Sequence, residues 1–158
     1  MMNKVCKYIM GGTVIVGSAA LKKYICSSID KQNVAKKKNF ESFYYLAERW
    51  ITIYEEGKSL ESILEERHIK TVAVYGLGAL GRHVVTQLKG SRVKVAYVID
   101  QAVKGHWQDV EVMPLKEHIS DVDAIIVTVI NDMDVIERNL KRYTKCTVIS
   151  LEELLYEG

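Results

Sequence analysis

The sequence predicts an α/β fold built on a parallel sheet, and three observations predict it. Short β-branched runs alternate with stretches of helical spacing from residue 71 onward. Gly76, Gly78 and Gly81 form a G-x-G-x-x-G turn directly after the first such run. Asp100 closes the next run, 19 residues beyond Gly81. Strands that alternate with helices imply parallel pairing and right-handed crossovers.

The body of the chain can be justified element by element. Thr71–Tyr75 (TVAVY) is a short apolar run suited to a strand buried on both faces. Val84, Val85 and Leu88 then repeat with helical spacing until Gly90. Val93–Ile99 is the second strand and Val110–Met113 the third. Pro114, the single proline, starts the next connection, with a short helical turn over 115–119. Asp123–Ile130 (DAIIVTVI) is an emphatic buried strand. Asn131 or Asp132 can cap a helix running to Tyr143, with Val135, Ile136 and Leu140 inward. Thr147–Leu151 (TVISL) is a fifth strand, followed by a terminal turn carrying Leu154, Leu155 and Tyr156. The predicted unit, residues 70–158, is a single Rossmann-like α/β module of about five strands in the order 3-2-1-4-5, with helices on both faces.

An N-terminal helical arm precedes it. In residues 27–69, Phe43, Tyr44, Ala47, Trp50, Ile51 and Tyr54 recur at helical spacing and predict one amphipathic face. That face is read as core or dimer surface. Gly57 ends the helix. Ser59 caps a shorter one with Leu60, Ile63 and Leu64 inward. Tyr54 and Lys58 make a Y-x-x-x-K, the dyad pattern of short-chain dehydrogenases. It lies before the glycine turn and across Gly57, so it is chance.

Residues 1–26 form the third segment. Tyr8–Leu21 carries no charge. A helix over residues 5–26, with its lysines snorkelling, would reach about 33 Å, enough for one marginal membrane span. Ser18-Ala19-Ala20 would suit signal-peptide cleavage, but Lys22, Lys23, Lys31 and Lys36–Lys38 follow and hold the C-terminal side in the cytoplasm. The expectation is a membrane anchor with a cytoplasmic body. The simpler alternative is an apolar helix packed on the body or a partner. Composition agrees with this division. The 158 residues carry a net +2, yet residues 1–38 hold eight lysines and one acid, a net +7 that leaves −5 on the rest. A basic arm on an acidic body suits an anionic membrane surface and argues against nucleic-acid binding. Cys6, Cys26 and Cys146 are odd in number and lack CxxC spacing, so neither a disulfide framework nor a metal site is suggested. His68, His106 and His118 have no second ligand at metal spacing and read as surface residues.

The glycine turn points to chemistry. Gly76 permits a tight exit from the strand. Gly78 lets a phosphate approach the backbone, and Gly81 lets the helix pack closely. Amides around Ala79 and Leu80 then face an anion at the helix N-terminus. Asp100 can accept hydrogen bonds from ribose hydroxyls and repels a 2′-phosphate, which favours NAD over NADP. Thr128 is expected to face the same crevice. Arg82 reads equally as a phosphate contact or a solvated side chain. The bland reading of the whole motif is a turn whose glycines serve packing alone. No nucleophile elbow, paired histidines or downstream Tyr/Lys dyad appears in the sequence, so catalytic residues are not assigned.

Taken together, VAVYGLGALGRHVV, VKVAYVID, VEVMPL and DVDAIIVTV resemble the nucleotide-binding core of bacterial polysaccharide-biosynthesis proteins. These are the nucleoside-diphosphate-sugar epimerase/dehydratases and the polyprenyl-phosphate sugar transferases. EGKSLESILEERHIKTVAVYG and ISLEELLYE are similar to small stand-alone proteins of that kind. The resemblance covers about residues 40–158. It implies a module for NAD or a nucleotide sugar, with the motif carried by Gly76, Gly78, Gly81 and Asp100. Three functions follow as expectations. The first is a non-catalytic, membrane-tethered nucleotide module accessory to surface-polysaccharide synthesis. The second is an epimerase or dehydrogenase completed by oligomerisation or a partner. The third is a scaffold whose aromatic helix makes a homodimer or docks on a biosynthetic enzyme.

Overall fold

The computed structural model describes residues 19–115, 119 and 121–157. The stretch 8–21, apart from its last three residues, and with it the expected anchor and Cys6, lies outside them. So do His118 and most of the turn expected over 115–119. No helix among the described residues is long and apolar enough to cross a membrane.

The chain divides into two compact units, Met1–Lys38 and Asn39–Gly158. Helix α1, Ala19–Glu55, begins in the first unit and ends in the second. In the first unit, every residue from 30 to 38 is exposed.

The second unit holds the rest of α1 and ten further elements. Gly57, at φ +79, ends α1 as expected. Its N–H bonds Tyr54 O and the Lys58 N–H bonds Ile53 O, the paired closure of a Schellman motif. Ser59 then caps α2, Leu60–Glu66, in a reciprocal capping box with Ser62. β1 (Thr71–Tyr75), α3 (Ala79–Leu88) and β2 (Lys94–Ile99) follow. β3 (Gly105–Trp107) and β4 (Val110–Met113) come next, then β5 (Ala124–Val127), α4 (Met133–Leu140), β6 (Thr147–Ser150) and α5 (Leu151–Tyr156).

The sheet order is β3-β4-β2-β1-β5-β6. The five parallel strands stand in the expected sequence, and the sixth, β3, pairs antiparallel with β4 at the edge. The expectation of five strands missed β3. Between β2 and β4 the chain returns through this edge strand, with no helix in the connection. A hairpin turn at Gln108, φ +54, then places β4 beside β2.

Alternation in the strands feeds two cores. Val72, Val74, Val98, Ala124 and Ile126 face one side, where α1, α2, α3 and α5 supply Leu46, Ile53, Leu64, Val84 and Leu154. Ala73, Tyr97, Ile99, Ile125 and Val127 face the other, covered by Ile136 and Leu140 of α4 with Ile119 and Val122. A register shift opposite Val72 and Ala73 sends Val95 and Tyr97 to opposite faces despite their spacing of two.

One inward assignment is corrected, and the α1 face expected as core or dimer surface is divided. Val135 is 46% exposed, because α4 is short and buries only Ile136 and Leu140. On α1 the buried side is Leu46 and Ile53, flanked by half-buried Phe43 and Trp50, while Tyr44, Ile51 and Tyr54 are exposed.

Candidate functional site

The C-terminal ends of β1, β2 and β5 converge where the chain order reverses between β1 and β5. In open α/β sheets that reversal opens a crevice for ligands. Each expected site residue can be placed there.

Gly76 leaves β1 at φ +94, in the left-handed region that glycine tolerates. Its N–H bonds Ile99 O at 2.8 Å, so the turn begins as an extension of the β1–β2 ladder. Leu77 buries its side chain and aims its N–H at Asp100 Oδ2, 2.7 Å away. Gly78 is the N-cap of α3, exposed, with nothing within 4 Å of the position a Cβ would take. The first intrahelical bond runs from Arg82 N–H to Gly78 O at 3.1 Å. The amides of Ala79, Leu80 and Gly81 therefore precede the helical ladder, at the positive end of the helix dipole. Ala79 is exposed and Leu80 is buried. Gly81 serves packing: a Cβ there would sit 1.9 Å from Gly76 O.

Thr128 lies beneath the turn and is only 8% exposed. Its hydroxyl is 3.0 Å from the carbonyl oxygens of both Tyr75 and Gly76, as donor. A Cβ on Gly76 or Gly81 would press on this oxygen, at 3.0 and 3.2 Å. Thr128 thus ties β5 to the turn from below.

Asp100 is more heavily engaged than its sequence position suggests. Oδ2 accepts from Leu77, and Oδ1 accepts from Ala102 and Val103 at 2.8 and 3.0 Å. Burial pushes this carboxyl up, but the three backbone amides outweigh it and hold the group below the usual carboxylate range. A carboxylate offers about four lone-pair directions, so about one remains for a ligand hydroxyl.

Arg82 and Trp107 complete the surroundings. The Arg82 Nε donates to Leu77 O at 3.2 Å, and its guanidinium lies over the Trp107 ring, 4.5 Å from the centroid. That is cation–π stacking range. Trp107 escaped the sequence reading with the rest of β3. The sequence carried little signal for it: GHW is three residues long, and Gln108-Asp109 is not one of the glycine-bearing pairs that mark a two-residue hairpin.

The Gly78 backbone is open to approach, the amides of Ala79, Leu80 and Gly81 precede the α3 ladder, and the Asp100 carboxylate stands at the end of the neighbouring strand, the set of groups that a Rossmann turn offers to a diphosphate and a ribose. Behind the first turn of α3 runs a separate groove of about 420 Å³, lined by Phe43, Ala47, Trp50 and Ile51 of α1 with Leu80 and His83. It is mostly apolar, and neither Gly78 nor Asp100 lines it, so it is separate from the glycine turn. The described residues contain no group of three or more His, Cys, Asp or Glu able to hold a metal.

The comparisons with known proteins agree with this geometry. The family model described as "D-isomer specific 2-hydroxyacid dehydrogenase, NAD binding domain" matches residues 35–136, from the middle of α1 into α4. No curated protein and no solved structure matches the chain. The match corrects the resemblance to nucleotide-sugar epimerases, with which only the Rossmann core is shared. The chain belongs to the family of NAD-binding domains of the D-isomer specific 2-hydroxyacid dehydrogenases.

Proposed function

We propose that the body holds NAD in the crevice above β1, with the diphosphate on Gly78 and the amides of Ala79, Leu80 and Gly81. Asp100 accepts from the adenosine ribose, and Gly76 and Thr128 shape the turn from below. The observation that carries this reading is the open N-cap at Gly78, set against the packed position at Gly81 in the same motif. A glycine turn kept only for packing has no use for that opening. Calorimetric titration of the chain with NAD, NADP and UDP-sugars tests it. NAD is expected to bind and NADP to bind more weakly, because its 2′-phosphate meets Asp100. Binding of a UDP-sugar in preference to NAD would return the module to the surface-polysaccharide setting that its motifs resemble.

On this reading the module acts as a cofactor holder, and its NAD meets a substrate site on a second body. The basic segment 1–38 favours a tether at the inner face of the cell membrane, with the body in the cytoplasm. Full-length protein found wholly in the soluble fraction would remove the tether.

A second reading is favoured by one observation. Phe40, Tyr44, Ile51 and Tyr54 of α1 are all exposed, and with Ala47 they repeat at 4-3-4-3 spacing. That is the seam spacing of paired helices. It supports a homodimer or a docking helix, and sedimentation equilibrium separates these from a monomer.

A further inference from the structure

We propose that the crevice grips only the adenosine diphosphate half of a dinucleotide, so that ADP, ADP-ribose and NAD are equivalent ligands. This rests on the reading of the glycine turn above. A dinucleotide lies across the reversal of strand order, with one nucleotide on each side. The two sides of this crevice are built differently.

On the β1–β2 side stand the open Gly78 backbone, the α3 amides and Asp100. The β5–β6 side is roofed by α1. Leu46, 5% exposed, faces Val127–Ile130 and Leu151 across a recess of about 120 Å³. Next to it, Ser42, Tyr45 and Leu46 meet Ile130, Glu152 and Tyr156 around a recess of about 250 Å³. Leu46 stands at the border of both recesses and fills the space between α1 and the rim of β5.

The roof is fastened at both ends. Asn131, in the loop after β5, donates through Nδ2 to Asn39 Oδ1 at 2.9 Å. Arg49 Nε donates to Leu155 O at 2.9 Å, and its guanidinium lies 5.8 Å from the Tyr156 ring centroid. Lifting α1 would break these bonds and uncover Leu46. The rim of β5 therefore stays covered, and a nicotinamide ribotide has no seat on this body. Its end of NAD projects from the crevice, where another body can meet it.

Calorimetric titration of the full chain with ADP, ADP-ribose, NAD and nicotinamide mononucleotide tests this. The expected result is that ADP and ADP-ribose bind within about threefold of NAD, and that nicotinamide mononucleotide gives no heat. NAD binding about thirtyfold or more tighter than ADP would overturn the proposal while leaving the glycine-turn reading intact, and so would measurable binding of nicotinamide mononucleotide. Absence of heat with every adenine nucleotide would remove the glycine-turn reading itself, and the proposal with it.

Discussion

A methyl group added at Gly81 and a side chain added at Gly78 act in opposite ways, though the two lie in one turn. At Gly81 the new atom meets the Gly76 carbonyl at 1.9 Å, a backbone contact that cannot swing aside. Gly81→Ala is expected to cost about 3 kcal/mol or more, read as a lowered urea midpoint. At Gly78 there is open space, so Gly78→Val should fold with a loss of about 1 kcal/mol or less. Ionisable groups make the pH limbs predictable. Asp100 and Asp123 are both held below the usual range. For Asp100, burial raises the carboxyl and the amides of Leu77, Ala102 and Val103 outweigh it; for Asp123, the amides of Lys70 and Thr71 do the lowering. Stabilisation from lowered carboxyls is complete above the unfolded value of about 3.9 and is lost as pH falls through the folded one. Burial pushes Tyr97 up to about 12, so its contribution holds below about pH 10 and fades as pH rises toward 12. Melting temperatures measured across pH should fall at both limbs, and Asp123→Asn should shrink the acid one. At this scale the sequence was partly legible. Spacing alone separated the tasks of Gly76, Gly78 and Gly81. It did not show that Asp100 spends three acceptor directions on backbone, nor that Thr128 serves the turn, because both depend on where backbone atoms arrive after folding.

Among the elements, α1 is the instructive one. Apolar residues occupy positions 43–47, 50, 51, 53 and 54, so more than one helical face satisfies an amphipathic pattern. The fold selects the side carrying Leu46 and Ile53, which meets α2, α3 and α5, and leaves Tyr54 71% exposed. Ile53→Ala should therefore cost about 2–4 kcal/mol, while Tyr54→Ala stays within about 0.5 kcal/mol, as read from chemical denaturation. Equal losses would mean that the face is misassigned. Helix ends were easier to read than helix faces. Gly57 and Ser59 act locally through their own backbone and hydroxyl, which sequence conveys directly. β3 was missed because three residues give almost no periodicity, and its pairing with β4 depends on a turn at Gln108 that carries no glycine.

For the molecule as a whole, the alternation of strands and helices made the parallel core and its order legible. Only the edge strand and the helix-free return from β2 to β4 went unread. The same legibility misled at the level of family. The motif run around Gly76 is shared by many nucleotide-binding cores, and it pointed to epimerases where the family is that of hydroxyacid dehydrogenase NAD-binding domains. A fold constrains what a crevice can hold more tightly than whose pathway it serves. The exposed α1 strip makes a separate expectation: if Ile51 and Tyr54 form a seam between copies, sedimentation should show a dimer that Ile51→Lys converts to monomer. The claim on which all else depends is that the open backbone at Gly78 receives the NAD diphosphate. Titration calorimetry of the full chain and its Gly78→Val variant measures this directly. The expected result is saturable NAD binding by the native chain and a loss of about tenfold or more in a variant that remains folded by circular dichroism. Folded native protein that gives no heat with NAD, or a folded variant that binds as the native chain does, would contradict it.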